Sequence, residues 1–521
     1  MLVAAMAALQ WNWFAMPLGR DEGEYAYAAW LMRTGKGVPY QDSFLQKPPM
    51  IVYTYALVEA LAPSSNKVGF RVAGFLAALA TVGLVWRLGR REFGGRTGEW
   101  AAWLWVVFAQ QLCFSPVEAN VEKFMVVPLL GAMALADRGE RRGWRWGLAG
   151  ALAGVAVLYK PICLPMLGVY FVWALFPQQR TGAGFRPPVT RSMSALREAA
   201  GRVSWLLLGG VAVTVAGVAW FAWKGALGEL WECAVAFTGA YARLAGNPFR
   251  VGWWFLTAAG YWKGWAVLGL VVAGFAAVGR RGWGWGAMFA VAWGTAMADA
   301  NGHYYLMALP LAALGAGGGV ERLSGRFGHR SGWVGAMGVL VVSAAMLSGN
   351  EGKALRYMPT QLSSELYRGN PFVEAEEAGR LVAQLCPEDG AVHVLGSEPE
   401  ILWYARRKGA TRFDIAYPMM MPTRYAAGYR AEVLDALAKA PPEVVVFARL
   451  PTSFLGTPET REAYVQSVGK LLFPKGYQLE WSHVPSRGGW LSRGKWTERE
   501  SAGVILGIWQ RSGVCRGKTH G

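Results

Sequence analysis

Three acidic side chains, Asp21, Glu22 and Glu24, stand together directly after the first apolar run of this sequence. A carboxylate so placed can take or hold the proton of a reacting group. Lys47, followed by Pro48 and Pro49, offers a compact ammonium that can balance an anion. Glu118, Asn120, Glu122 and Lys123 crowd the start of another apolar run, Lys160 ends a further one, and Asp299, Asn301 and His303 separate two more. A charge at mid-bilayer costs about 2.5 to 3.5 kcal/mol even on a lenient insertion scale. Acids and lysines gathered at the ends of apolar runs therefore point to proton transfer beside a cationic stabiliser of negative charge.

The elements that must carry these residues are membrane spans. The chain has 521 residues, 54% hydrophobic and 17% charged, with 27 Trp, 23 Phe and 19 Tyr, which excludes disorder, collagen and a disulfide scaffold and disfavours a soluble enzyme. Apolar stretches at 2–18, 68–86, 98–114, 119–136, 146–160, 162–177, 204–222, 264–279, 284–299, 304–320 and 332–348 predict about eleven spans with soft boundaries. None follows residue 348, so 1–348 reads as a transmembrane domain and 349–521 as a second domain. That second part has 22 basic and 18 acidic side chains, leaving +14 of the chain's +18 to the apolar part. Alternate connections there hold 18 arginines against five acids, whereas the loop 19–67 is balanced. By the positive-inside rule the arginine loops and the N-terminus are cytoplasmic, and the loop 19–67 and the C-terminal domain face outward. The basic charge is topological, with membrane lipids as partners and no nucleic acid. The first run has neither a basic leader nor a cleavage site and reads as a span. Five scattered cysteines indicate neither a disulfide framework nor a zinc site, and the Gly150/Gly154 pair reads as helix packing.

The C-terminal part alternates helix-like stretches (372–385, 398–407, 430–439, 461–472) with strand-like ones (391–395, 443–448, 503–509), which predicts a small extracytoplasmic α/β domain. It has no phosphate loop or nucleophile elbow and reads as an accessory or acceptor-binding module, with Glu398 and Glu400 at a solvated helix start.

The motifs R-D-E-G-E-Y-A-Y-A-A-W from Arg20, Q-K-P-P at Gln46–Pro49, E-A-N-V-E-K-F at Glu118–Phe124 and G-H-Y-Y-L-M-A-L-P at Gly302–Pro310 resemble glycosyltransferase family 39 of the GT-C class. That family includes protein O-mannosyltransferases and the lipid A aminoarabinose transferase. The resemblance covers most of residues 1–320 and implies a polytopic α-helical bacterial inner-membrane enzyme of the cell envelope. It would move a sugar, with inversion, from a polyprenyl-phosphate-linked donor to a glycan, lipid or protein acceptor outside the membrane. It implies Asp21 as general base, Glu22 orienting Asp21 or the acceptor, and Lys47 neutralising the departing phosphate. It further suggests Lys160, His303, Tyr304 and Arg250 as donor-phosphate contacts, and Glu24, Tyr25, Glu118, Asn120 and Glu122 as substrate-binding or supporting residues. Gly23 and Glu24 between the acidic pair and Tyr25 depart from the lipid A transferase pattern.

Each residue also has a structural role open to it. Asp21 and Glu24 form the D-x-x-E of a capping box. Lys47 suits a membrane interface, Lys160 could snorkel at a helix end, and His303 could be a structural donor. Glu118 and Glu122, four apart, could line a polar cavity or pair with Lys123 or Lys160. Asp21, Glu22 and Glu118 could also converge on a hard divalent cation, which the resemblance does not require. A transporter or flippase of lipid-linked glycans is the alternative function. It would place coupling charges near mid-membrane in repeated halves, a pattern absent from this sequence.

Overall fold

The computed structural model describes residues 2–62, 66–114, 117–137, 140, 142–175, 193–244, 262–277, 280–297, 302–348, 352, 355–493, 495 and 503–513. Helices α1 (Leu2–Gln10), α2 (Arg20–Thr34) and α3 (Met50–Leu61) precede the long α4 (Asn66–Phe93). Then come α5 (Thr97–Phe108), α6 (Val121–Leu135), α7 (Gly143–Tyr159), α8 (Leu164–Leu175) and α9 (Met193–Trp223). Short α10 (Leu227–Trp231) and α11 (Thr238–Ala242) flank a π-helical turn, and α12 (Trp262–Ala277), α13 (Arg280–Ala296), α14 (Leu309–Ser324) and α15 (Ser331–Met346) complete this part.

Among the described residues two helices are long and apolar enough by themselves to cross a membrane, Lys67–Phe93 and Leu196–Trp223. The continuous first span expected at 2–18 is instead a nine-residue helix, a 3-10 turn at Trp11–Trp13, a further turn over 14–16 and irregular chain to Gly19. At 1.5 Å per residue that helix is about 14 Å long, against about 30 Å of hydrocarbon. The division expected near residue 160 is present, because Lys160 leaves helical geometry (φ −163°, ψ 119°) before Pro161.

Small residues bring the helices together, as expected where lipid offers no hydrophobic drive between them. A Cβ on Gly150 would stand 1.9 Å from the Leu206 carbonyl oxygen, and one on Gly209 1.9 Å from that of Gly147, so α7 and α9 touch backbone to backbone. Gly94 and Gly95, with φ of 76° and 52°, make the tight turn between α4 and α5.

The C-terminal segment forms a six-stranded sheet in the order β2-β1-β3-β6-β4-β5. Its strands are β1 (Ala391–Leu395), β2 (Lys408–Gly409), β3 (Val444–Ala448), β4 (Tyr477–Val484), β5 (Gly489–Ser492) and β6 (Leu506–Arg511). β1 runs parallel to β2 and β3, and β6, β4 and β5 extend the sheet antiparallel. Helices α16 (Pro359–Leu366), α17 (Phe372–Leu385), α18 (Pro399–Ala405), α19 (Tyr417–Met420), α20 (Ala426–Lys439) and α21 (Pro458–Leu472) accompany it.

This segment is packed on α2 and α3, and one apolar core runs through both parts. Glu59 of α3, 1% exposed, accepts from Trp403 Nε1 (2.7 Å), Arg406 (2.6 Å) and Arg33 Nε (3.0 Å). The Tyr404 hydroxyl accepts the Leu18 N–H, and that of Tyr27 accepts the Gly409 N–H. The solvated helix start expected at Glu398 and Glu400 is not found: both carboxylates are fully buried, because α18 faces α2 rather than water.

Glu59→Ala takes the shared carboxylate from an indole N–H and two guanidiniums. Removing one partner of a buried ion pair costs about 3 to 5 kcal/mol. Because Arg33 and Arg406 are 37% and 31% exposed, the lower figure is expected. Thermal unfolding in detergent should fall accordingly, whereas Arg33→Ala should cost less than about 1 kcal/mol. Equal effects would mean that Glu59 does not join the two parts.

Candidate active site

The site is built outward from the first turn of α2. That helix starts at Arg20 with Gly19 as its N-cap, and Glu22, third in the helix, accepts the Gly19 N–H at 3.1 Å. The capping box expected at Asp21 and Glu24 is therefore displaced by two residues, and Asp21 is no cap. Close packing sets this register: a Cβ at Gly19 would lie 2.7 Å from Glu118 Oε1.

Glu22 is fully buried and its oxygens are committed to the protein. Oε1 accepts the Ala119 N–H (2.7 Å), and Oε2 meets Arg71 at 2.7 Å as well as Gly19. Arg71 also donates to the carbonyls of Val117 (2.5 Å) and Pro17 (3.1 Å). Glu22 thus holds in place the first turn of α2, which carries Asp21.

Asn120, the N-cap of α6, links the two helix starts. Its Oδ1 accepts from Val121 N–H (2.8 Å) and from the Tyr25 hydroxyl (3.0 Å), while Nδ2 donates to Glu118 (3.2 Å) and Asp21 (3.5 Å). That long bond is the single hydrogen bond of the Asp21 carboxylate among the described residues. Burial would raise the Asp21 pKa, but Lys47, His303, Lys160 and the Asn120 bond outweigh it and hold it below the ordinary value.

Lys47 lies near enough to Asp21 for each to act on the other's charge. Its backbone is pinned by Tyr40, whose hydroxyl donates to the Lys47 carbonyl at 2.8 Å, and Thr238 donates to that of Gln46 at 3.2 Å. Its ammonium makes no hydrogen bond or ion pair among the described residues. Burial opposes that charge, but Asp21, Glu24 and Glu122 raise its pKa above the usual lysine value. Glu24 is equally unpartnered among the described residues, and burial pushes its carboxyl well above the carboxylate range. Glu118 is pushed up to about 8 by burial and by its neighbours Glu22 and Asp21.

The expected donor contacts form a second group. Lys160 turns inward rather than snorkelling: it pairs with Glu122 at 2.5 Å and sits 3.1 Å above the centre of the Tyr304 ring. His303 Nε2 is 3.9 Å from the same Glu122 oxygen. Arg250, Asp299 and Asn301 lie outside the described residues. Asp21, Glu22 and Glu118 do not converge on a point, and no three metal-ligating groups do so among the described residues. Sequence reasoning missed Arg71 and Arg20. A single arginine inside the apolar run of α4 was the available signal for Arg71.

Residues 46–190 match the family model described as Dolichyl-phosphate-mannose-protein mannosyltransferase. The match includes Lys47, Glu118, Glu122 and Lys160 and stops short of Asp21 and His303. No curated protein matches the sequence. The structure is similar to ArnT from Cupriavidus metallidurans in the apo state, with a TM-score of 0.58 at 14% identity, covering 89% of this chain and 93% of that one. It is similar to the same protein bound to undecaprenyl phosphate, with a TM-score of 0.57 at 17% identity, covering 89% and 94%. The Archaeoglobus fulgidus oligosaccharyltransferase in the apo form gives 0.51 at 13% identity, covering 95% and 74%. The chain therefore has the helical fold of the GT-C membrane glycosyltransferases.

Since Asp21 does not cap α2, Asp21→Asn should leave the melting temperature unchanged. If Asp21 is the base, turnover should fall roughly 10² to 10⁴-fold. A base held below its ordinary pKa stays ionised as the medium is acidified, so kcat/KM of the native protein should be flat from about pH 7 to 5, above the usual Asp value of about 3.9. An acid limb within that interval would move the assignment to Glu24 or Glu118, whose carboxyls are raised.

Proposed function

We propose that this chain is a membrane glycosyltransferase that moves a sugar from a polyprenyl-phosphate-linked donor to an acceptor outside the membrane, with inversion at the anomeric carbon. The observation that carries this reading is the pairing of Asp21, ionised and almost free of hydrogen bonds, with Lys47, a half-buried ammonium lacking an ion pair among the described residues. The family-model match and the fold shared with a protein solved with undecaprenyl phosphate support it.

An acceptor hydroxyl attacks the anomeric carbon while Asp21 takes its proton. The bond from that carbon to the phosphate oxygen breaks, its electron pair stays on the lipid phosphate, and Lys47 balances the charge that appears there. Lys160 is held by Glu122 and Tyr304, so it acts on the phosphate from farther away or after exchanging its carboxylate partner. Glycan, lipid and protein acceptors all fit this chemistry.

The proposed path through the membrane keeps eleven crossings, the first by α1 together with the chain that follows it to Gly19 and the others by α4 to α9 and α12 to α15, with the N-terminus cytoplasmic. α2, α3 and the C-terminal α/β domain from residue 349 lie outside, and the bacterial inner membrane is the proposed location. A cysteine replacing Gly489 tests the orientation, because a Cβ there meets nothing within 4 Å. It should react with an impermeant thiol reagent added outside intact cells; labelling only after the cytoplasmic face is opened would reverse the topology.

Lys47 provides the test of chemistry. Lys47→Met should fold normally and lose about 2.7 to 4 kcal/mol of transition-state stabilisation, a fall of about 10² to 10³ in turnover. Lys47→Arg should recover part of it, as its fork differs in shape and reach. The readout is undecaprenyl phosphate released from sugar-linked carrier by purified protein in nanodiscs, with mass spectrometry of envelope glycans, lipids and proteins identifying the product. Undiminished release by Lys47→Met would refute the leaving-group role.

A further inference from the structure

Arg20 immediately precedes Asp21, yet its guanidinium reaches into the C-terminal α/β segment. Its Nε donates to the Ser397 carbonyl at 2.5 Å, and a terminal nitrogen reaches Asn370 Oδ1 (3.1 Å) and Glu398 Oε1 (3.4 Å). The guanidinium carbon lies 4.8 Å from the centre of the Tyr417 ring and 5.6 Å from that of Phe372. Glu398 is fixed in turn by the Ser397 N–H (2.7 Å) and the Ser453 hydroxyl. One turn on, α2 presses on α18 so closely that a Cβ at Gly23 would lie 2.7 Å from the Glu400 nitrogen.

From this geometry we propose that Arg20 is a positioning residue through which the C-terminal segment sets the place of the Asp21 carboxylate. The inference rests on the reading of Asp21 as base. The segment is then a working part of the transferase rather than an appended acceptor module. A planar fork held on three acceptors and between two rings has little freedom to rotate, and it fixes the backbone that carries Asp21. On the other side Asn120 and Glu22 hold the same turn, so the first turn of α2 is gripped between the two parts of the chain.

The test uses full-length protein in nanodiscs and, as probe, the undecaprenyl-phosphate-linked sugars extracted with the acceptors from the producing cells' membranes. Release of undecaprenyl phosphate is the readout. Arg20→Met should lower kcat by about 10²-fold, the cost of a small misplacement at a reacting centre, while apparent KM and the folded fraction change little. Arg20→Lys should restore part of kcat, since the ammonium keeps Glu398 but loses the fork. Should Arg20→Met fail to fold, Glu398→Gln preserves the shape of the partner and should still depress kcat relative to KM. In an Asp21→Asn background, Arg20→Met should add less than about a twofold loss, because both changes act on one group. A full multiplicative loss there, or a variant that only melts earlier with unchanged kcat per folded molecule, would overturn the positioning role. If Asp21→Asn alone retains full turnover, it is the base assignment that fails.

Discussion

The arrangement of the site depends on one buried ion pair, Glu22 with Arg71 at 2.7 Å. Two charges taken out of water are tolerated only when the remaining lone pairs and protons find partners. Here all but one do: Glu22 also receives two backbone N–H groups and Arg71 also reaches two backbone carbonyls, with the Arg71 Nε alone left without a partner among the described residues. These contacts join the chain before α2, the first turn of α2, the N-terminal part of α4 and the loop before α6. Four separate stretches of sequence become one fixed point, and every distance around Asp21 is measured from it.

Neighbouring carboxylates thereby acquire different chemistry. Successive residues of a helix point about 100° apart, so Glu22 turns to Arg71 while Asp21 turns to Asn120 and the lysines. Glu24, one turn later, is buried without a hydrogen-bond partner among the described residues, and its carboxyl is pushed up while that of Asp21 is pulled down. Titratable groups driven apart by their surroundings are the usual means of dividing proton transfer among similar side chains.

Much of this was legible in the sequence, for physical reasons that also mark where it ceased to be. Long apolar runs announced α4 and α9 because burial in hydrocarbon needs length, and the alternating pattern announced β1 and β3. The clustering of Asp21, Lys47, Glu122 and Lys160 at run ends marked the site, since charge is costly deeper in. The start of α2 was misplaced by two residues because the cap there is backbone and packing: Gly19 fits against Glu118 for want of a side chain, which no capping preference encodes. Arg20, Arg71 and Glu59 were given no role in the site or its packing because their partners lie as far away as residues 398, 117 and 403. The burial of Glu398 and Glu400 was illegible for the same cause: a polar helix start reads as solvated until the surface facing it is known.

In the proposed reaction, these opposite environments act together. A sugar–phosphate–lipid diester carries one negative charge, and its departing lipid phosphate gains a second as the bond to the sugar breaks. At that moment Asp21 receives the acceptor proton and loses its own charge, so negative charge moves from Asp21 to the phosphate without its total changing. In a site of low dielectric such a shift is far less costly than creating new charge, provided the fixed groups favour its destination. Lys47 meets that condition. It is half-buried, kept protonated by carboxylates it does not touch, and free of a competing ion pair among the described residues, so its attraction strengthens as charge leaves Asp21 for the phosphate. Lys160, already neutralised by Glu122, contributes less to that change, which makes Lys47 the group whose interaction differs most between bound donor and transition state.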